Sequence, residues 1–171
     1  MESNRAEEPT IHSFAPVFSA QSRILILGTM ASPASLKMGF FYGHPRNAFW
    51  RILGDLTADT PGNTPDDRNA FLLRHKIALW DTLKSCIRVG SSDSAIHAEQ
   101  PTDLTVIIEH CPDLQAIFLN GGAAAHFYRK YQAKNIVLPY FGLPSTSPAN
   151  ARGGYPAKIQ AWRQIKPYLT T

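Results

Sequence analysis

Residues 23–56 read RILILGTMASPASLKMGFFYGHPRNAFWRILGDL, and this stretch decides the fold. It opens on an apolar run, 23–27, that stops at Gly28, the pattern of a short buried strand. It closes, over 47–56, with Phe49, Ile52, Leu53 and Leu56 on one face of a helix. Residues 28–46 between them show neither a helical nor a strand period and are rich in Gly, Pro, Ser and aromatics. A loop this long inside a small domain is usually functional.

Working outward, three more short apolar runs read as strands: 77–80 (IALW), 116–119 (AIFL) and 136–138. Helical patterns cover 66–75, 104–110, 123–134 and 156–168. Residues 57–66, most of 82–102, and 139–154 read as loops. Short apolar strands alternating with helices predict an α/β fold, a three-layer αβα sandwich around a four-stranded parallel sheet. Ligands of such sheets bind beyond the carboxyl ends of the strands. The loops after the first, second and fourth strands would open onto that edge. Residues 1–20 read as a polar N-terminal leader and 21–171 as a single domain.

The chain has 171 residues, 44% hydrophobic and 18% charged, enough for one core and too few for two. No apolar run reaches the ~20 residues of a membrane span, and the acidic start MESNRAEEPT lacks a signal-peptide pattern. A soluble, cytoplasmic protein is the expectation. Two cysteines, Cys86 and Cys111, are too few for a Cys₄ zinc site or an iron–sulfur cluster and read as packed free thiols. The net charge of +4 suits a polyanionic partner such as nucleic acid. No run of like charge forms a basic arm, so any contact with a polyanion must come from a folded face.

The loop after the first strand has neither the GxGxxG nor the GK[ST] spacing of nucleotide-phosphate loops. Its distinctive content is Phe40, Phe41, Tyr42, His44 and Asn47 within eight residues. Phe, Tyr and His rings stack well on nucleobases, and they also cover cores. Asn47 precedes an apolar helical face, where Asn is a preferred N-cap. Its amide can equally hold a water for attack on a substrate, and both roles stay open.

Three blocks in order carry a resemblance: GTMASPASLKMGFFYGHPRNAFW, KIALWDTLKSCIRVGSSDSAI and FGLPSTSPANAR. They resemble the motifs of the hypoxanthine-DNA glycosylases, the deoxyinosine-excising branch of the uracil-DNA glycosylase superfamily, over roughly residues 20–168. The resemblance implies a uracil-DNA glycosylase-like fold and hydrolysis of the N-glycosidic bond of a deaminated base, most of all hypoxanthine. In the superfamily an Asp or Asn just past the first strand often holds the catalytic water. Here Gly28, Thr29 and Met30 stand there as base-pocket positions, and Met30 cannot polarise water. The resemblance passes that role to Asn47. It also places Asp81 where the superfamily reads the base, and Leu143-Pro144-Ser145 where a His-Pro-Ser block is typical.

A glycosylase must extrude a nucleotide, stack its base, read its edge and stabilise a developing oxocarbenium ion. Phe41, or its neighbours Phe40 and Tyr42, can stack the base. Asp81, at a strand's carboxyl end, can accept N–H from hypoxanthine or from uracil, or can cap the following turn. His44 can assist the leaving base, contact phosphate or be structural. Ser145, Thr146, Ser147, Asn150 and Arg152 are candidate contacts to the DNA backbone, with Arg152 a possible wedge. Residues 120–122 can approach DNA, but read more readily as a helix start. Lys37, Lys84 and Arg88 can form a basic rim. No lysine stands at a recognisable nucleophile position, so a monofunctional enzyme leaving an abasic site is expected. The expected partner is DNA carrying a deaminated base, bound by a monomer, with no metal, organic cofactor or membrane. The alternatives are a uracil or thymine mismatch glycosylase, a non-catalytic binder of damaged or single-stranded DNA, and a nucleosidase.

Overall fold

Ile24, Leu25, Ile26 and Leu27 are all fully buried, and alternate residues face opposite sides of one sheet. The computed structural model describes residues 8–169. In chain order its elements are β1 (Thr10–His12), β2 (Ile24–Gly28), α1 (Pro33–Met38), α2 (Phe49–Thr57), α3 (Pro65–Arg74), β3 (Ile77–Asp81), β4 (Leu83–Ile87) and β5 (His97–Pro101). There follow α4 (Thr105–Ile108), β6 (Ala116–Asn120), α5 (Gly122–Tyr131), β7 (Tyr140–Leu143), α6 (Gly154–Trp162) and α7 (Lys166–Leu169). The main sheet is parallel, in the order β3-β2-β6-β7.

One face of this sheet carries Ile24, Ile26, Leu79 and Phe118 against Phe49, Ile52, Leu53, Phe71, Leu72 and Trp162. The other carries Leu25, Leu27, Ile117 and Leu119 against Leu104, Ile107, Ala124 and Tyr128. The fold is therefore the expected three-layer αβα sandwich with a four-stranded parallel sheet. Fully burying an aliphatic or Phe side chain stabilises by ~1.5–3 kcal/mol before the entropy of ordering is counted. The two cysteines are free and buried, as expected. Among the described residues, no helix is long and apolar enough to cross a membrane.

Four expectations change. The fourth strand is β7, not 136–138, because Val137 is fully exposed and cannot be a buried strand residue. The region 82–102 is not mostly loop: β4 and β5 pair antiparallel there, and β1 adds to β4, making a second, three-stranded sheet. Residues 33–38 form α1, capped by the Ser32 hydroxyl on Ser35 N–H, with Pro33 at the first helical position. Residues 10–20 are no detached leader. Val17 pairs backbone to backbone with Leu79, and the Phe14 ring packs edge-on to Phe41 at 5.2 Å. Residues 1–7 of that reading lie outside the described residues.

Candidate active site

β2 and β3 end side by side at Gly28 and Asp81, and β6 ends next to β2 at Asn120. These three carboxyl ends floor a cavity of ≈ 110 Å³. That is well below the ~300–1,000 Å³ of drug-sized pockets, so it suits one small group. Its walls are Thr29, Met30 and Ser35, then Phe41, Tyr42 and Asn47, and on the far side Arg88, Asp93, Ser145 and Ser147.

Gly28 is required at the floor. A Cβ there would fall 2.6 Å from the Tyr42 hydroxyl and 2.8 Å from Asp81 Oδ1, so both polar atoms converge over its Cα. Asp81 is 3% exposed. Its Oδ2 accepts from the Ser13 hydroxyl at 2.9 Å. Burial pushes the carboxyl up to about 7; the Ser13 bond opposes this, the Asp93 charge adds to it and Arg88 relieves it. The Tyr42 hydroxyl is buried without a hydrogen-bond partner; the Asn120 amide approaches without meeting bonding geometry. Burial and the charge of Asp81 raise its pKa, so the phenol stays neutral. A buried polar atom without a partner is rare in folded proteins, and here it stands in the cavity wall.

The aromatic stretch after α1 is pinned. Ser35 Oγ accepts from Gly43 N–H at 2.9 Å, and Trp50 Nε1 donates to the carbonyls of Phe41 and Tyr42 at 3.1 and 3.2 Å. Tyr42 is held at φ 53° and stacks on Phe49, ring centroids 4.1 Å apart. Phe41 lines the cavity, while Phe40 lies behind it, stacked on Trp50 at 5.9 Å and outside the cavity wall. Asn47 lines the cavity and its Oδ1 accepts from Phe49 N–H at 3.0 Å. Asn47 is not the N-cap that its place before the helix suggested: Ala48 stands there, without a side-chain cap hydrogen bond, and the Asn47 bond to Phe49 N–H closes an Asx turn leading into α2. The second lone pair of Oδ1 stays open, and Nδ2 makes no hydrogen bond among the described residues. His44 is outside the cavity wall; its Nδ1 accepts from Arg46 N–H at 3.0 Å and braces the turn.

The loop after β7 closes the remaining side. Asn120 and Thr146 bond reciprocally: Asn120 Nδ2 donates to Thr146 Oγ1 and Thr146 N–H to Asn120 Oδ1, each at 3.0 Å. The Thr146 carbonyl accepts from Ala48 N–H at 3.0 Å. Thr146 is 1% exposed and lines the cavity between Ser145 and Ser147, where these bonds hold the loop in place. Ser145 and Ser147 reach the cavity as well. Asn150 Nδ2 holds the Ser145 carbonyl, and Arg152 is exposed; both line grooves beside the cavity, one of which also takes in Arg46, Arg51 and Lys158. Lys37 and Lys84 are exposed, but Arg88 is buried in the wall rather than on a rim. The sequence reading passed over Asn120 as a helix start, although it ends a buried strand on a polar residue, as Asp81 does.

Lys158 is 7% exposed and donates to the Ser147 carbonyl at 3.1 Å; burial lowers its pKa. Lys158→Met removes that donor while keeping the stem. It is expected to destabilise the fold by about 1–2 kcal/mol and to weaken DNA binding several-fold. The rate from bound DNA should hold, which thermal melts, titrations and single-turnover assays together check.

The sequence profile of the Uracil DNA glycosylase superfamily matches residues 15–166 of this chain. The chain belongs to that superfamily. Two relatives named hypoxanthine DNA glycosylase, from Methanosarcina barkeri and Methanosarcina acetivorans, are each 33% identical over 140 residues, covering 81% of this chain and 87% of theirs. A solution NMR structure from Methanosarcina acetivorans, described as a candidate uracil DNA glycosylase, superposes with a TM-score of 0.80 at 29% identity. It covers 94% of this chain and 99% of its own. As a member of the uracil DNA glycosylase superfamily, the protein is a DNA glycosylase of deaminated bases. Among the described residues, no cluster of three or more His, Cys, Asp or Glu side chains could hold a metal ion.

Proposed function

We propose that this glycosylase releases hypoxanthine from deoxyinosine in DNA by direct hydrolysis, leaving an abasic site. The observation that carries it is that the amide of Asn47 and the carboxyl of Asp81 wall one base-sized cavity at the sheet's carboxyl edge. Asn47 orients the attacking water: the open lone pair of Oδ1 accepts from it while the other holds Phe49 N–H. Phe41 offers a ring to the extruded base, and Asp81, when ionised, accepts from N1–H of hypoxanthine. Ser145 and Ser147 grip the flanking phosphate, with Asn150 and Arg152 along the strand beside it. No lysine lines the cavity, which supports hydrolysis over a Schiff-base route. The choice of hypoxanthine leans on the two relatives that carry that name.

The test is a panel of duplex oligonucleotides carrying deoxyinosine, deoxyuridine, deoxyxanthosine or a mismatched thymidine, cleaved with alkali after incubation. Strand scission is expected fastest at deoxyinosine. A uracil-first ranking replaces the substrate and leaves the chemistry standing. Salt-sensitive binding with no scission at any base overturns the enzyme reading in favour of a binder.

A further inference from the structure

Arg88 is 6% exposed and lines the cavity, yet no carboxylate among the described residues makes an ion pair with it. Its Nη2 donates to the Ala31 carbonyl at 2.6 Å and its Nε to the Gly90 carbonyl at 3.1 Å. Those two bonds fix the plane of the guanidinium, and Nη1 is left without a protein partner among the described residues. Asp81 and Asp93 line the same cavity and feel the charge, but neither pairs with it. Burying an unpaired cation is costly. A wall built to hold one rigidly serves a negative charge that arrives later. Preorganised donors aimed at developing charge are the largest single contribution to many enzymatic rates.

We infer that Arg88 stabilises the departing base as its anion. The inference rests on the glycosylase reading above. In the step, the C1′–N9 bond breaks and its electron pair leaves with the purine, spread over the ring and O6. The water oxygen bonds to C1′, and the proton that water loses returns through solvent to the purine, which departs neutral. Arg88 keeps its protons throughout and donates hydrogen bonds to the charged ring.

The experiment compares wild type, Arg88→Gln and Arg88→Lys in single-turnover release. Two duplexes are used: one carries deoxyinosine, the other the same base with an electron-withdrawing substituent on its imidazole ring, which leaves more readily. Arg88→Gln is expected to lose about 10²–10³-fold on deoxyinosine, the usual cost of deleting one such donor. The loss should shrink at least ten-fold on the activated base, and Arg88→Lys should recover part of it. Affinity for a non-hydrolysable 2′-fluoro duplex should stay within a few-fold. The ratio between the two bases is taken within one variant, so a partly unfolded preparation does not move it. An undiminished rate, or the same loss on both bases, overturns the role and leaves Arg88 a brace for the 88–90 turn. If wild type prefers another deaminated base, the same pair is built on that base. Wild-type inactivity on every base is the failure of the proposed function, not of Arg88.

Discussion

Asn47→Ala is expected to slow base release by about 10²–10³-fold in single turnover, within the range for losing a positioned proton acceptor. The same substitution removes the bond from Phe49 N–H to Oδ1, so it should also destabilise the fold by about 0.5–1.5 kcal/mol, the usual net worth of one hydrogen bond. The two effects separate in Asn47→Asp. A carboxylate still accepts from Phe49 N–H and still polarises water, so stability should return to near wild type with a substantial part of the rate. Thermal melts and release from a deoxyinosine duplex measure both. If Asn47→Ala loses stability but keeps its rate, Asn47 only braces the turn into α2, and the water must be held by another group.

Asp81→Asn is expected to make the protein more stable and less selective, with the stability gain confined to higher pH. The wild-type carboxyl holds its proton up to about pH 7 when folded, against an ordinary value of 3.8. Between those values the folded chain binds a proton that the unfolded chain has released. Wild-type stability therefore falls as pH rises through this window, and the penalty is complete above pH 7. An amide never ionises, so the variant should match wild type below about pH 4 and exceed it most above pH 7. The gain is at most about 4 kcal/mol at ~1.36 kcal/mol per unit, less whatever the pocket recovers by relaxing. In activity, the pH profile of wild type should bend near 7, where Asp81 changes from donor to acceptor, and the variant should lose that bend. Equal melting temperatures at pH 5 and pH 8 in a comparison of the two proteins would refute the buried-carboxyl account.

The central strands were legible because they are buried on both faces and read as unbroken apolar runs: ILIL in β2, IALW in β3, AIFL in β6. The edge strand was not. In β7, Tyr140, Phe141 and Gly142 are exposed and only Leu143 is buried, so it lacks the unbroken buried apolar run that marks the central strands. The antiparallel sheet was hidden for the same reason: β5, HAEQP, has no buried residue, and β4 alternates around an exposed Lys84. In the site, Asn47, Phe41 and Asp81 could be named because each stands at a recognisable place, before a helix, in an aromatic loop or at a strand's end. Ser13 was not singled out, and Asn120 and Arg88 read as a helix start and a rim charge, because what they do in the fold depends on partners far along the chain. Ser13 meets Asp81 across 68 residues and Arg88 meets Ala31 across 57. No local pattern encodes such a meeting.

The bond between Ala48 N–H and the Thr146 carbonyl, together with the Asn120–Thr146 pair, has a consequence for how the protein is made. Synthesis runs from the N-terminus, and contacts between distant segments form last. Asn47 and Asp81 leave the ribosome long before Thr146, but the wall that joins them needs the 144–147 loop, itself held by Trp162 Nε1 on the Pro144 carbonyl. A nascent chain that has passed Arg88 but not reached Thr146 thus carries Asn47, Asp81 and Arg88 without the residue that joins the wall. α6, through Trp162, is the clasp that holds the closing loop, and it is made after every proposed catalytic group.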